Sequence, residues 1–462
     1  MIRFFNVNDP YRLIVVLLVM TAGGFVAHGL LDQATIPELK GMLVGEMLRD
    51  GKPLYAEVWD STPPLSAWFH RLMFSLAGKN LGVRHAVTVL IFFLQAAFFG
   101  IMLIRNRAFD QTGYFPSFLF GLLLFYSIDT IAFTREVWAS SFLLLALDRV
   151  LRQIQFRDQQ ESHLNVLGIL IGVASLFDFT YAVFFPGILM ILIVTSRMDQ
   201  GRIVLYTLGF LFPHLALITW YYLEGNLSNL LVLFYGYSFR FTTQSYFSLA
   251  GLLMLSVLPA IYLLFGMLKG RSSVSRTKYQ SQIAVVMVLW LVTGAVEAWL
   301  TRQRSAQVLV VCIPPVAYFI HDFLLRVRRT WLAGLMAWVL IAGVPATAVI
   351  AFQGRLPYVD YTRTFIGQND QQHAGKKLLV LSDDLRLYRG GGAAAFFPEW
   401  ELAQDLFRHP DYYENIVILN RAFGTDPPDI IIDPENLMPA IFRLLPGLAR
   451  QYVRDGQEYR RI

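Results

Sequence analysis

Apolar blocks of roughly 16 to 22 residues recur along this chain, the length at which a helix crosses ~30 Å of hydrocarbon. Between them the polar residues are rationed. Only 16% of the 462 residues are charged and 55% are hydrophobic, whereas a soluble globular chain carries about 25% charged residues. Mean hydropathy is +0.49. Phe (37) and Tyr (21) are abundant, as befits helices packed in lipid with aromatic belts at the interfaces. The chain therefore reads as a polytopic α-helical membrane protein. Eleven spans are expected, over 13–31, 86–104, 113–131, 136–151, 164–177, 180–195, 203–222, 247–268, 282–300, 306–325 and 331–351.

The basic residues orient these spans. If 164–195 is a hairpin with Asp178 at its tip, the loops on the N-terminal side collect Arg105, Arg107, Arg149, Arg152, the Lys269–Lys278 cluster and Arg326–Arg329. The short loops opposite then hold only Arg135, Arg240, Arg302 and Arg304. A single long helix would put two of the basic clusters on the translocated side, against the positive-inside rule. The N-terminus is expected to be cytoplasmic, with loop 32–85 and the C-terminal tail external. The net charge of +6 sits mostly in short loops, where it sets topology and is no nucleic-acid signal. The one cysteine, Cys312, lies inside an apolar block, so no intrachain disulfide can form and the redox compartment is not indicated. No Ala-x-Ala-like processing site follows the first apolar run, which is long enough to remain an anchor.

The expected organisation is a transmembrane domain over 1–352, including loop 32–85, followed by a soluble α/β domain over 353–462. In the latter, "KKLLVLSDD" and "PDIIIDPEN" are short apolar runs bounded by turn residues and read as buried strands. "PEWELAQDLFRH" and "MPAIFRLLPGLARQYV" have helical spacing. The region has the size of one small domain.

The loop after the first span reads "TIPELKGMLVGEMLRDGKPLYAEVWDSTPPLSAWF", residues 35–69. Leu39, Met42, Leu43 and Met47 recur at helical spacing over 37–50, and Gly51 and Pro53 end that helix. Leu65, Trp68, Phe69, Leu72, Met73 and Leu76 repeat the pattern over 64–77. Two amphipathic helices lying on the membrane face fit this loop. Thr35-x-x-Glu38 has the form of a capping box with Thr35 as N-cap.

With its spacing of Glu38, Gly51, Leu54-Tyr55, Asp60, Pro63-Pro64-Leu65 and Arg84, the loop resembles the first external loop of class C (GT-C fold) glycosyltransferases. These are integral membrane enzymes that use polyprenyl-phosphate-linked sugars, and the similarity is to the bacterial protein- and lipid-glycosylating branch. The tail "DPPDIIIDPEN … QYVRDGQEYRRI" resembles that family's C-terminal external domain, so the resemblance covers most of the chain. It departs in one place: where the family usually has Asp-Glu, this chain has Pro37-Glu38.

The resemblance implies inverting transfer of a sugar from a polyprenyl-phosphate donor to a lipid, glycan or protein acceptor, at the external face of a bacterial inner membrane. Such chemistry needs a carboxylate to take the acceptor's proton and positive groups to stabilise the departing phosphate. Glu38 is the first candidate for the base and Glu136 the second; each has a plainer reading, as a dipole-favoured acid in a helix's first turn and as one half of an Arg135–Glu136 pair. Arg302, Arg304 and Arg240 are candidates for the donor phosphate, with snorkelling to headgroups as the alternative. Asp60, Tyr55, Arg84 and Gln307 are candidate substrate contacts, Asp60 also reading as a turn-starting residue. Gln307-Val308 stands where the family often has His-Tyr. His28 reads as satisfying a neighbouring helix, and Asp178 as marking the hairpin tip. His70 with Glu57 or Asp60 lacks diagnostic metal spacing, so no metal site is assigned, and the resemblance leaves dependence on a divalent cation open. "RGGGAAAFFP" lacks the features of a nucleotide loop. The expected partners are a polyprenyl-phosphate-linked sugar and membrane lipids, with no nucleic acid. Two other classes compete. A transporter would show inverted repeats or paired broken helices, and neither is legible. A catalytically silent GT-C-like subunit of a membrane complex is consistent with Pro37 and the missing His-Tyr.

Overall fold

A computed structural model describes residues 2–5, 7–31, 33–156, 162–196, 198–238, 246–271, 277–301, 303–366 and 373–462. The chain divides into two compact units. The first comprises Met1–Asp32, Gly82–Leu217 and Phe241–Thr364, and the second Gln33–Leu81, Ile218–Arg240 and Phe365–Ile462. The division does not follow a cut at 352/353, because the first loop groups with the C-terminal region.

The first unit is built of apolar helices. Arg12–Leu31, Leu81–Arg105, Gln200–Leu223, Lys278–Leu300, Ala306–Leu325 and Thr330–Phe352 are long and apolar enough to cross a membrane, and Leu249–Leu255 with Val257–Leu268 forms a pair bent by 73°. Other expected spans are interrupted. The 113–131 block becomes a helix, Phe115–Leu123, and a 3-10 turn, Ile128–Ile131. The 164–195 block breaks at Asp178, whose side chain accepts from the Thr180 N–H at 3.0 Å and caps the 3-10 turn Phe179–Val183.

Lipid tails are as apolar as leucine, so helices in a membrane associate through close packing at small residues. Ser162–Phe177 and Gln200–Leu223 do this. A Cβ on Gly168 would stand 2.2 Å from the Tyr206 carbonyl oxygen, and one on Gly209 2.2 Å from that of Asn165. Only glycine permits this backbone approach.

The second unit contains a five-stranded sheet: β1 Lys377–Val380, β2 Gly392–Ala393, β3 Ile430–Ile432, β4 Tyr452–Asp455 and β5 Glu458–Arg461, in the order β2-β1-β3-β5-β4. β1 is parallel to β2 and β3, whereas β5 is antiparallel to β3 and β4. The two apolar runs read as strands are β1 and β3. Helices Trp400–Arg408, Tyr413–Thr425 and Met438–Leu444 cover a core that includes Leu379, Phe397, Phe407, Leu419, Ile431 and Met438. Trp59 from the first loop packs against this core, and its N–H donates to the Phe396 carbonyl at 2.8 Å.

The two expected loop helices are Ile36–Arg49 and Pro64–Ala77. They pack through glycine: a Cβ on Gly45 would lie 2.5 Å from the His70 carbonyl oxygen, and one on Gly41 would enter the His70 ring. The second helix leaves Trp68, Leu72 and Leu76 exposed along one stripe. The first is enclosed on its polar side too, because Glu38 and Lys40 are buried along with Leu39, Met42 and Leu43. It therefore does not present a free polar face.

Candidate functional site

Glu38 sits in the first turn of Ile36–Arg49. Thr35 is the N-cap, as its spacing suggested, and its hydroxyl oxygen accepts from the Glu38 N–H at 3.3 Å. Pro37 stands in the same turn, where a missing N–H costs nothing. The Glu38 side chain is completely buried.

Two residues on, Lys40 reaches a second buried group. Its ammonium lies 3.0 Å from Glu399 and 3.6 Å from Asp60, and donates to the Ser61 hydroxyl at 3.4 Å. Glu399 in turn accepts from the Ser61 N–H at 2.6 Å and the Ser61 hydroxyl at 3.0 Å. The Tyr237 hydroxyl stands 3.0 Å from Glu399 and 2.7 Å from Glu401. Asp60 starts a turn, accepting from the Thr62 N–H at 2.7 Å and from the Thr62 hydroxyl. Its other oxygen, Oδ2, makes no hydrogen bond.

One cation thus serves two buried carboxylates, and their protons separate. Burial pushes Asp60 up to about 6; Lys40 and Thr62 pull it down while Glu399 adds to the rise. Burial would raise Glu399 as well, but Lys40 and the Ser61 hydrogen bonds outweigh it and hold this carboxyl below the usual glutamate range.

Tyr55 has a left-handed backbone (φ 67°), which side chains other than glycine adopt only at a cost. Its buried hydroxyl donates to the Thr62 carbonyl at 2.8 Å, and its ring packs 5.7 Å from that of Tyr221. Tyr55 and Asp60 both brace the 60–62 turn.

The other described candidates belong to the first unit. Arg135 and Glu136 open helix Arg135–Phe156. Arg135 Nε lies 3.2 Å from Glu136 and 2.9 Å from Asp178. Thr180 places its hydroxyl 2.9 Å from Asp178 and 3.2 Å from Glu297; its single proton serves one carboxylate at a time. Thr301 donates to Glu297 at 2.7 Å, while Glu297 Oε2 has no hydrogen-bond partner. Glu297 is 1% exposed. Arg135 thus pairs with two buried carboxylates, Glu136 and Asp178, and a third, Glu297, is tied to Asp178 through the Thr180 hydroxyl. Among the described residues no group of three His, Cys, Asp or Glu has metal-holding geometry. Sequence reasoning passed over Glu297, although an acid inside an apolar span is itself a signal.

Arg84 is fully buried in Leu81–Arg105, its guanidinium 6.0 Å from the Phe133 ring centre. On the same helix His85 meets His28, their Nδ1 atoms 2.9 Å apart, which is the neighbouring-helix role expected of His28. Gln307 spends its amide on the protein: it donates to the Thr130 and Ala132 carbonyls, both at 2.7 Å, and accepts from the Thr134 hydroxyl. It braces the irregular 128–134 segment. Arg304 donates to the Trp299 carbonyl at 3.2 Å. Arg302 and Arg240 lie outside the described residues. The two favoured carboxylates thus fall in different units, Glu38 with Lys40, Asp60 and Tyr55 in the second, Glu136 in the first.

Comparison with known proteins adds a fold. The family described as Dolichyl-phosphate-mannose-protein mannosyltransferase matches residues 61–222. The crystal structure of ArnT from Cupriavidus metallidurans bound to undecaprenyl phosphate is 17% identical, with a TM-score of 0.55 over 73% of this chain. The chain has the class C glycosyltransferase fold. Apo ArnT from the same organism gives 16% identity and a TM-score of 0.52 over 78% of the chain. This chain spans 65% and 66% of those two ArnT chains. The archaeal oligosaccharyltransferase AglB from Archaeoglobus fulgidus, in complex with an inhibitory peptide and a dolichol-phosphate, is 10% identical with a TM-score of 0.49, covering 96% of this chain and 72% of that one. No curated protein sequence matches the chain. At these identities the likeness concerns the GT-C fold, a membrane-embedded bundle of apolar helices with a small C-terminal sheet.

Proposed function

We propose that this protein is an inverting glycosyltransferase. It moves a sugar from a polyprenyl-phosphate donor to a lipid, glycan or protein acceptor at the external face of a bacterial inner membrane, with its N-terminus cytoplasmic and the 353–462 domain periplasmic. The reading is carried by one observation: the first-loop spacing from Glu38 through Asp60 and Pro63-Pro64-Leu65 to Arg84 stands on a chain with the class C fold. In the reaction the acceptor hydroxyl gives its proton to Glu38 as its oxygen bonds to the anomeric carbon. The bond from that carbon to the phosphate oxygen breaks, and polyprenyl phosphate leaves. Glu136 is the alternative base, and Arg302, Arg304 and Arg240 are assigned to the phosphate charge. Arg84 lies beside the substrate. Asp60, Tyr55 and Gln307 are assigned as substrate contacts. The decisive experiment is Glu38→Gln in purified protein given a synthetic polyprenyl-phosphate sugar. Transfer should disappear while the variant keeps the wild-type elution profile and melting point; unchanged transfer would remove Glu38 as the base.

A second reading has its own support. Pro37 replaces the family's first acid, and Gln307 is used up in backbone contacts. A catalytically silent subunit of a membrane complex would show no transfer in the wild type and would copurify with a stable membrane partner.

A further inference from the structure

At one end of the first unit, four helix ends line a polar cavity of about 810 Å³ that includes none of the candidate site residues. Gln153 and Ile154 line it from the end of Arg135–Phe156, and Val194, Thr195 and Ser196 from the end of Phe184–Thr195. Asp199 and Arg202 come from the start of Gln200–Leu223, Lys278 and Gln282 from the start of Lys278–Leu300. We infer that this cavity is a binding site for the phosphate group of an anionic phospholipid. The inference does not rest on the transferase reading.

Three observations carry it. The first is charge. Two cations, Arg202 and Lys278, face one carboxylate, Asp199. Asp199 is largely exposed and lies 3.7 Å from Arg202, so its pairing is solvent-screened and weak. Lys278 makes no ion pair among the described residues. The second is hydrogen-bond capacity. Gln282 gives one amide hydrogen to the Thr195 carbonyl at 3.2 Å and keeps the other. Gln153, 4% exposed, brings a second amide to the lining. Guanidinium, ammonium and amide donors converging on one space suit a phosphate oxygen cluster. The third is position. The cavity lies where apolar helices end. Beside it Met190, Ile193 and Val194 on one helix, and Val204 and Leu208 on the next, are each more than half exposed. Residues of this kind on a membrane helix face acyl chains, so an occupant with a charged head and two hydrocarbon tails meets matching surface at both ends.

The test uses the full-length protein in detergent, titrated with dioleoyl phosphatidylglycerol and followed by native mass spectrometry. Dioleoylglycerol, with the same tails and no phosphate, and inorganic phosphate are run beside it. The wild type should retain one phosphatidylglycerol, and the Lys278→Gln/Arg202→Gln double variant should bind it about tenfold or more weakly, as loss of charged hydrogen bonds implies. Dioleoylglycerol should not be retained. Lys278→Gln alone, at an exposed helix start, serves if the double variant elutes as aggregate, and should give a smaller loss. Equal retention by wild type and variant, or equal retention of dioleoylglycerol, would overturn the site. Displacement of the lipid by millimolar inorganic phosphate would overturn the lipid assignment in favour of a soluble phosphate compound.

Discussion

Two buried charge clusters in this protein are built on different terms. In the second unit Lys40 stands between Glu399 and Asp60, and backbone and hydroxyl donors from Ser61 and Thr62 serve the same carboxylates, leaving Asp60 Oδ2 only its ion pair with Lys40. In the first unit Arg135 faces Glu136 and Asp178, with Glu297 linked through Thr180, and one Glu297 oxygen has no hydrogen bond. The first cluster is nearly balanced and joins segments hundreds of residues apart. The second is left acidic. Buried ion pairs rarely stabilise a fold beyond what apolar packing would, but breaking one is expensive. A nearly satisfied cluster therefore acts as a clamp, whereas an excess of buried carboxylate is a cost that structure alone does not explain, and the proposed transfer chemistry is a use for it.

The sharpest way to break this contrast is Arg135→Gln. It strips Glu136 and Asp178 of their cation and should cost about 3 to 5 kcal/mol, read as a fall in the apparent melting point in detergent. Glu399→Gln should cost less, about 2 to 3 kcal/mol, because the amide oxygen still accepts from Ser61 while the charge opposite Lys40 is lost. A smaller cost for Arg135→Gln than for Glu399→Gln would invert the comparison.

Asp60 gives a pH test of the balanced cluster. Its folded pKa, about 6, lies above the ordinary 3.8, so its contribution to stability is full below the lower value and is lost as pH rises through the upper one. Asp60→Asn does not titrate. Its melting point relative to wild type should therefore rise between pH 4 and pH 7, by an amount equivalent to about 2 to 3 kcal/mol; a flat difference would contradict the assignment. Glu399, held low, has the opposite sign: its contribution is present above the usual glutamate range and is lost as pH falls through the depressed value.

The smallest effect is expected from Glu297→Gln. Removing the carboxylate with the unpartnered oxygen should be neutral or stabilising, within about 1 kcal/mol. In that background Arg135→Gln should cost less than it does alone, since the two sites share one network. Strict additivity would mean that Glu297 is not part of the cluster.

Much of this was legible residue by residue. Thr35 announced the cap, Gly51 the helix end, and the apolar runs of β1 and β3 their strands, because each signal is local. His28 found its neighbour in His85. The β4–β5 hairpin went unread although Asp455-Gly456 marks its turn, Gly456 having φ 67°. Gln307 was set beside substrate because of where it stands in the chain. Its actual partners, carbonyls of a 3-10 segment some 175 residues earlier, depend on that segment's irregular path.

The sequence by itself determined that the chain is a bundle of membrane helices with an amphipathic first loop and an α/β tail, since hydrophobic length and period are properties of contiguous residues. Only the tertiary structure decided that Lys40, Asp60 and Glu399 share one buried site, that Glu297 is tied to Asp178 through Thr180, and that the first loop folds with the C-terminal region. The physical reason is that a buried charge is tolerable only with a partner, and a partner 338 residues away, as Glu399 is from Ser61, leaves no periodicity for one sequence to display.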